Sequence, residues 1–456
     1  MVNRLRLDLL GMTPTGMSPD RARLLAALRK RATGSSPLTA TQQGIWLAEQ
    51  LDPGTSGYHD TAMLLIDGQL DTNALRGALS GAQANHEALR ARICDCDGEP
   101  RQVFDINRVD WNIVDLTSVP APARQSQLDR LVTAVATRPF DLPVGPLWRA
   151  RLVRLTDREH VLVFVMHHLI TDGWSHGIML ESLLAGYAYR VGDGPAPVPR
   201  PGYAAWLAER RRCEHAATVS NAAEALIANL PALPYRLRLP GLNPGRTDRK
   251  AAELPVPLPA TSWMTFEKAC HGVGTTRFMA LVGLFGLALS RATGGDGVLF
   301  SMPLAGRYDA AHADLLGCLI SVAPVGVRIA AADTPMAAVS AGKEAVGRAL
   351  CLADLPYRDV VRAAGPLPHG DDPLTNVGIE QFNAPVGEVS IGRLRIVPLR
   401  RTQVRLRHDL TLSVPSAGGA APTLLYPSSR WSADRVALLA SDMAALIQAA
   451  TVALAT

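Results

Sequence analysis

The sequence predicts an α/β protein of two lobes, each a mixed sheet covered by helices, on three observations. Its 456 residues exceed one ordinary core and suit two lobes of roughly 200 residues each. A composition of 48% hydrophobic and 19% charged residues allows such lobes to bury their cores. Segments typical of strands and helices mingle along the chain without strict alternation, which indicates mixed sheets.

Residues 1–36 are predicted to form a leader that contains one helix. The run 18–20, Ser-Pro-Asp, is typical of a helix start. Apolar residues follow it at helical spacing: Ala22, Leu24, Leu25 and Leu28. The linker over residues 33–36 is too short to let the leader helix move independently of the main body. We therefore expect this helix to pack against the main body rather than to dock another protein.

Residues 37–215 are predicted to form the first lobe. The pattern indicates helices over residues 40–50, 72–84 and 122–137, and strands over residues 59–66, 89–94 and 148–155. The next strand, over residues 161–166, is apolar on both alternating faces and rich in β-branched residues. We expect this strand to be buried on both faces.

Residues 216–456 are predicted to form the second lobe. Two stretches rich in Pro and Gly, 192–201 and 240–249, place the boundary between the lobes near residue 215. Strands are expected over residues 251–256, 297–302, 321–329, 375–382, 393–398, 409–414 and 423–426. Helices are expected over residues 261–271, 275–292 and 432–450, and the last has Val436, Leu439, Met443 and Leu446 on one face.

Charge, cysteine content and hydropathy argue against several classes of protein. The 46 basic residues are nearly offset by 41 acidic ones, so a net charge of +5 does not indicate nucleic-acid binding. Six cysteines in so long a chain do not make a disulfide framework, and we interpret them as reduced thiols of a cytoplasmic protein. The longest apolar run, 278–289, is shorter than the ~20 residues that cross a bilayer, so we expect no membrane partner.

Two histidines end the apolar strand and open the most informative stretch, where residues 166–175 read MHHLITDGWS. Since side chains alternate across a strand, His167 and His168 are expected on opposite faces. A neutral imidazole suits proton uptake during attack on a carbonyl carbon. Asp172 would fix the loop by a charged hydrogen bond, and Gly173 would let the backbone approach a substrate closely.

A helix is predicted after this stretch, because apolar residues recur at helical spacing at Ile178, Met179, Leu183, Leu184 and Tyr187. Asp172 or Ser175 would accept hydrogen bonds from the first amides of that helix. Trp174, where the apolar helix begins, is expected in the core.

Two other interpretations of the histidine motif stay open on the residues alone. A metal site is disfavoured, because adjacent strand residues point apart and catalytic zinc normally takes three protein ligands. The other interpretation is two hydrogen-bonded core histidines with an aspartate that caps a helix.

The pattern HHxxxDG resembles the signature of the condensation domains of nonribosomal peptide synthetases. Other stretches match motifs of that family in the same order: 39–46, 85–90, 139–142 with 145–147, 203–206, 303–307, 355–357 and Asn376. The resemblance covers about residues 37–450.

The resemblance implies two lobes similar to chloramphenicol acetyltransferase subunits, set as a V-shaped pseudo-dimer with a tunnel between them. It also implies an acyltransferase that forms an amide bond between a donor acyl or peptidyl thioester and an acceptor amine. Both substrates would arrive on the 4'-phosphopantetheine arms of carrier proteins, and the chain itself would bind no cofactor and no metal.

The resemblance assigns the catalytic role to His168, the second histidine of the motif, as the base or as the group that orients the amine. His167 would be buried and structural. Asp172 would pair with Arg307 across the lobes.

The resemblance also places Asn376 near the lobe junction, where its amide would cross-link strands or cap a loop. Trp174 and Ser175 are candidates for the wall of the substrate channel.

Two rival functions remain. One is an acyltransferase of the wider HxxxD superfamily that uses acyl-coenzyme A as the donor, or that forms an ester with an alcohol acceptor. The other is a non-catalytic domain that recruits a partner enzyme. The intact signature favours catalysis. The Met start and the leader helix favour a free-standing protein, which we expect to be a monomer.

Overall fold

The computed structural model describes residues 35–96, 98–200, 202–216, 233, 236–243, 245, 248–351, 375–382, 388–399, 406–415 and 420–455. The predicted leader helix and the motif at 355–357 lie outside these residues. The predicted lobe boundary near residue 215 falls at the end of a helix, and residues 217–232 beyond it also lie outside the described part, so the boundary stays a prediction.

Nine α-helices lie in the described part of the chain. They are α1 (Ala40–Leu51), α2 (Thr72–Asn85), α3 (Ala121–Thr137), α4 (Ser175–Arg190), α5 (Tyr203–Ala216), α6 (Ala260–Gly272), α7 (Arg277–Thr293), α8 (Pro335–Leu350) and α9 (Ala433–Ala455).

Fifteen strands accompany them over the same residues. They are β1 (Ser35–Pro37), β2 (His59–Asp67), β3 (Arg92–Cys96), β4 (Glu99–Val103), β5 (Asp110–Asp115), β6 (Trp148–Arg154), β7 (Glu159–His167), β8 (Ala251–Pro255), β9 (Gly297–Leu304), β10 (Ser321–Arg328), β11 (Val377–Phe382), β12 (Val389–Ile391), β13 (Leu394–Leu399), β14 (Leu410–Pro415) and β15 (Thr423–Pro427).

The first large sheet has six strands in the order β12-β13-β2-β7-β6-β5. Strand β7 lies near its centre, antiparallel to β2 and β6, and all its residues from His160 to His167 are buried. On one face of β7, Leu162, Phe164 and Met166 pack with helices α2 and α4. On the other face its three valines pack against α3. The prediction of a strand buried on both faces is confirmed.

The second large sheet has the order β10-β9-β11-β14-β15-β8. Strand β11 runs parallel to β9 and β14, whereas the β9–β10, β14–β15 and β15–β8 pairs are antiparallel. Helices α6 to α9 pack on this sheet around Trp263, Phe285 and Phe300. In the first sheet β5 runs parallel to β6, so each lobe has a mixed sheet and the predicted α/β class is confirmed. A third, small sheet has the order β1-β4-β3.

Strands β12 and β13 correct one expectation. The sequence placed the strand over 393–398 with its chain neighbours in the second lobe, but β13 pairs antiparallel with β2, from Arg395 opposite Asp67 to Leu399 opposite Met63. The buried residues Leu394 and Ile396 enter the core of the first lobe. Alternating apolar residues identify a strand, but they do not show which sheet edge it joins.

A second segment also crosses between the lobes. Residues 315–319 lie in the connection between β9 and β10 of the second sheet. Their side chains Leu315, Leu316 and Leu319 are nevertheless buried in the core of the first lobe. Together with β13, this segment holds the two lobes against each other around the end of β7.

Helix α9 is the single helix within the described residues that is long and apolar enough to cross a membrane by length and composition. One of its faces, with Val436, Met443 and Ile447, is buried in the core of the second lobe. Such packing is typical of a core helix.

Helices α7 and α8 cross at two glycines, Gly283 and Gly342. A Cβ atom on Gly283 would overlap the carbonyl oxygen of Ala338, and a Cβ atom on Gly342 would overlap that of Met279. Because backbone lies against backbone here, a methyl group cannot be accommodated by moving a side chain. We expect Gly283→Ala to lower the free energy of unfolding by about 1–3 kcal/mol or more, measured by denaturant titration.

The control for this prediction is Gly347→Ala in the same helix α8. Nothing lies within 4 Å of a Cβ atom at Gly347. Alanine there should leave the stability unchanged or raise it by up to about 1 kcal/mol, because alanine has the higher helix propensity. Equal effects of the two substitutions would show that the helix crossing tolerates a methyl group.

Candidate active site

The histidine motif lies where β7 ends in the centre of the first sheet. His167 is the last residue of β7 and pairs with His59 at the start of β2. The chain then turns over residues 168–174 and enters helix α4 at Ser175. The His168 amide donates to the carbonyl oxygen of Tyr58 at 2.8 Å, which ties the turn to the segment before β2.

The imidazole of His168 has a defined orientation. Its Nδ1 lies 2.8 Å from the carbonyl oxygen of Thr171. Since a carbonyl oxygen only accepts hydrogen bonds, Nδ1 carries a proton, and in the neutral ring Nε2 carries the lone pair. Nε2 lies 4.0 Å from Oδ2 of Asp60, and the residue is 8% exposed. This geometry suits a group that accepts a proton at Nε2.

His167 is fully buried and occupies the other side of the strand end. Its Nδ1 accepts a hydrogen bond of 3.1 Å from the amide of Leu169, so its Nε2 carries the proton and donates to Oε1 of Glu49 at 3.1 Å. Both ring nitrogens are therefore used to fix the turn that carries His168. The burial expected of His167 is observed, and its structural role stays a prediction.

Glu49, His59 and His167 offer three potential metal ligands within 4.8 Å of one another. Their hydrogen bonds do not fit a metal well, because Nε2 of His167 could bind one only if the ring gave up its bond from Leu169. His59 Nδ1 donates to the carbonyl oxygen of Ala136 at 2.7 Å. Burial lowers the pKa of His59 to about 4, so this ring is neutral near pH 7. The cluster fits a hydrogen-bonded support for the turn.

Asp172 and Arg307 form a buried ion pair, which is the pairing that the resemblance implied. Arg307 Nη1 donates to Oδ2 of Asp172 at 2.8 Å and Nη2 donates to Oδ1 at 3.1 Å, with side-chain exposures of 2% and 0%. The Leu319 amide donates to Oδ2 at 3.0 Å, and the amide and hydroxyl of Ser175 donate to Oδ1. Because Arg307 follows β9 of the second sheet, this pair joins the histidine turn to the second lobe.

Ser175 and Trp174 differ in their surroundings. Ser175 is buried in the network around Asp172. Its hydroxyl oxygen also accepts a hydrogen bond of 3.1 Å from the amide of Gly317 and lies 2.9 Å from the carbonyl oxygen of that residue. Trp174 is 39% exposed, and its Nε1 donates to the carbonyl oxygen of Ala313 at 2.9 Å. The expectation that Trp174 lies in the core is therefore wrong. The segment around Ala313 approaches from the second lobe, and the sequence pattern does not indicate this neighbour.

Gly173 and Asn376 complete the predicted set. Gly173 is exposed beside the buried Asp172. Asn376 is buried, accepts from the amide of Leu237 at 2.9 Å and donates to the Leu237 carbonyl and to Asp409. Asn376 thus cross-links three chain segments of the second lobe, none of them in a strand at the point of contact, and its role stays a prediction.

Sequence reasoning missed three polar side chains around the histidine turn. Gln42 of α1 is fully buried and donates to the carbonyl oxygen of Leu169 at 2.7 Å. Asp60 of β2 and His176 of α4 lie 3.7 Å apart, from Oδ2 to Nε2. For Asp60 the sequence did contain a signal, the polar start of the β2 strand. This signal points to the site only once β2 is known to pair with β7.

Comparisons with known proteins agree with this architecture. A model of the Condensation domain family matches residues 32–451. Isonitrile lipopeptide synthase of Mycobacterium tuberculosis is 32% identical over 421 residues, which are 88% of this chain and 16% of that protein. Phosphinothricin tripeptide synthetase PhsB of Streptomyces viridochromogenes is 28% identical over 447 residues, which are 96% of this chain and 37% of that protein. The chain thus spans a minor part of each relative.

A solved structure of the first condensation domain of the calcium-dependent antibiotic synthetase, in complex with a substrate analogue, superposes with a TM-score of 0.76. It is 19% identical and covers 91% of this chain and 95% of its own, so it shows the shared fold. The match of this family model over nearly the whole chain leads to one conclusion: the chain belongs to the condensation domain family.

Proposed function

We propose that this chain forms the amide bond of a nonribosomal peptide, by joining a donor acyl or peptidyl thioester to an acceptor amine. Condensation domains of nonribosomal peptide synthetases are acyltransferases of this kind, and the family membership of the chain supports the reaction class. The observation that carries the proposal is the His168 ring, whose Nε2 lone pair is fixed by the hydrogen bond from Nδ1 to Thr171.

In the proposed reaction the amine nitrogen attacks the thioester carbonyl carbon. A proton of the amine passes to Nε2 of His168, the C–S bond breaks, and the pantetheine sulfur leaves as a thiolate that His168 then reprotonates. The amide product stays on the acceptor carrier. A positioned base contributes about 10²–10⁴-fold to such a reaction.

The rest of the rate would come from bringing the reactants together. Reactants aligned in one site gain effective molarities that correspond to ~7–11 kcal/mol of the barrier. We propose that carrier proteins deliver both substrates on 4'-phosphopantetheine arms through a tunnel between the lobes, in the cytoplasm, and that the chain acts as a monomer without a bound cofactor. The Asp172–Arg307 pair, Gly173, Asn376 and the fully buried Ser175 would support this passage, and the exposed Trp174 is the candidate for its wall.

The test is carrier-based synthesis followed by intact-protein mass spectrometry. Donor carriers loaded with a panel of acyl groups and acceptor carriers loaded with a panel of amino acids would be incubated with the chain. We expect the acceptor carrier to gain the mass of the acyl group. Hydroxylamine should release the product from the carrier thioester with the acyl group still on the amino-acid nitrogen, because an amide resists this reagent. Equal turnover with acyl-coenzyme A alone, or an ester product from an alcohol, would instead support the rival acyltransferase function.

A further inference from the structure

Three titratable side chains from three elements meet at the end of the first sheet. Asp60 is the second residue of β2 and pairs with Met166 of β7. Its Oδ2 lies 4.0 Å from Nε2 of His168 and 3.7 Å from Nε2 of His176 in the first turn of α4. Asp60 and His168 are each 8% exposed, so water screens this carboxylate little.

The carboxylate of Asp60 interacts differently with the two forms of His168. In the resting form Nε2 carries a lone pair, and a lone pair is not attracted to a carboxylate. Once Nε2 has taken a proton, a cation and an anion lie 4.0 Å apart in a largely buried site. An interaction that is stronger in the protonated form lowers the barrier of the step that creates this form.

We propose that Asp60 is a positioning residue of the condensation reaction, whose carboxylate stabilises the imidazolium that His168 becomes when Nε2 takes the proton of the acceptor amine. Nε2 of His176 in α4 lies 3.7 Å from the same carboxylate. This inference rests on the base role proposed above for His168. The proton balance is unchanged, since Asp60 gains no proton and His168 passes its proton to the departing thiolate.

The other charged and titratable groups around His168 that belong to the described residues do not supply this interaction. Asp172 is paired with Arg307. Burial lowers the pKa of His59 to about 4 and raises the pKa of the Cys318 thiol well above its usual value, so both are neutral near pH 7. The guanidinium of Arg407 lies 4.7 Å above the ring of Tyr58 and is a cation, which disfavours the imidazolium.

The test is the pH dependence of amide formation by Asp60→Asn, which keeps the size of the side chain and removes its charge. At the pH optimum we expect kcat to fall about 10- to 100-fold with little change in KM. The midpoint of the acidic limb should move about one pH unit lower, because the imidazolium loses its carboxylate. Asp60→Glu should recover part of both changes. Asp67→Asn, at the far end of the same strand, should match the unaltered chain.

An NMR titration separates this proposal from the proposed function. The Cε1–H signal of His168, assigned by its loss in His168→Asn, should titrate at lower pH in Asp60→Asn than in the unaltered chain. An unchanged pKa of His168 in Asp60→Asn would overturn the role of Asp60. So would a change of KM in this variant without a change of kcat. A lower pKa of His168 in Asp60→Asn would show that the two side chains interact. If His168→Asn nevertheless remains fully active, His168 is not the base, and the catalytic role of Asp60 is wrong together with the proposed mechanism.

Discussion

Replacing His168 by alanine should lower the rate of amide formation by about 10²–10⁴-fold, because the acceptor amine then loses the group that takes its proton. The geometry makes this residue the focus of the site. Its ring is held by Thr171, with the Nε2 lone pair on the side of Asp60. The measurement is single-turnover transfer between loaded carriers, followed by mass spectrometry of the acceptor carrier.

The pH dependence of the His168→Ala variant distinguishes a base from an orienting group. If His168 is the base, the loss relative to the unaltered chain should become smaller as the pH rises, because more of the amine is already neutral. If His168 only orients the amine, the loss should be the same at every pH. His271→Ala serves as the control, because this exposed histidine lies at the end of α6. A His168→Ala rate within threefold of the control would contradict any direct role.

Part of the site could be predicted because its signals are local in sequence. The apolar run that forms β7 has the composition of a doubly buried strand, and the two histidines follow it directly. The resemblance added the long-range pairing of Asp172 with Arg307, which no local pattern shows. The structure places these two residues in direct contact.

The remaining features depend on contacts between distant segments. Strand β13 has the alternation of any strand, but its place beside β2 is decided by which sheet edge its apolar face can cover. Trp174 was expected in the core because it precedes an apolar helix, yet the segment around Ala313 keeps it at the surface. Asp60 drew no attention in the sequence, since its meaning comes from the pairing of β2 with β7.

The Asp172–Arg307 pair should account for the largest loss of stability among single polar substitutions at the site. Both side chains are almost fully buried, and the carboxylate also accepts hydrogen bonds from Ser175 and Leu319. Removal of one partner leaves a buried charge without compensation, which typically costs about 3–5 kcal/mol. We expect Asp172→Ala and Arg307→Ala each to lower the free energy of unfolding by this amount in denaturant titrations, and each to lower activity.

The double variant decides whether the two residues act as a unit. Once Asp172→Ala has removed the carboxylate, removal of Arg307 also removes the unpaired guanidinium, so the second substitution should cost less than the first. A coupling of about 0.5–3 kcal/mol is expected for residues in contact. Arg348→Ala is the control, since the pair of Arg348 with Glu344 is exposed on α8 and should contribute less than about 1 kcal/mol. The effects of the two substitutions could instead be fully additive in both stability and activity. The histidine turn would then be held by its other hydrogen bonds, such as those from Gln42 and His167, and the second lobe would contribute to it only by packing.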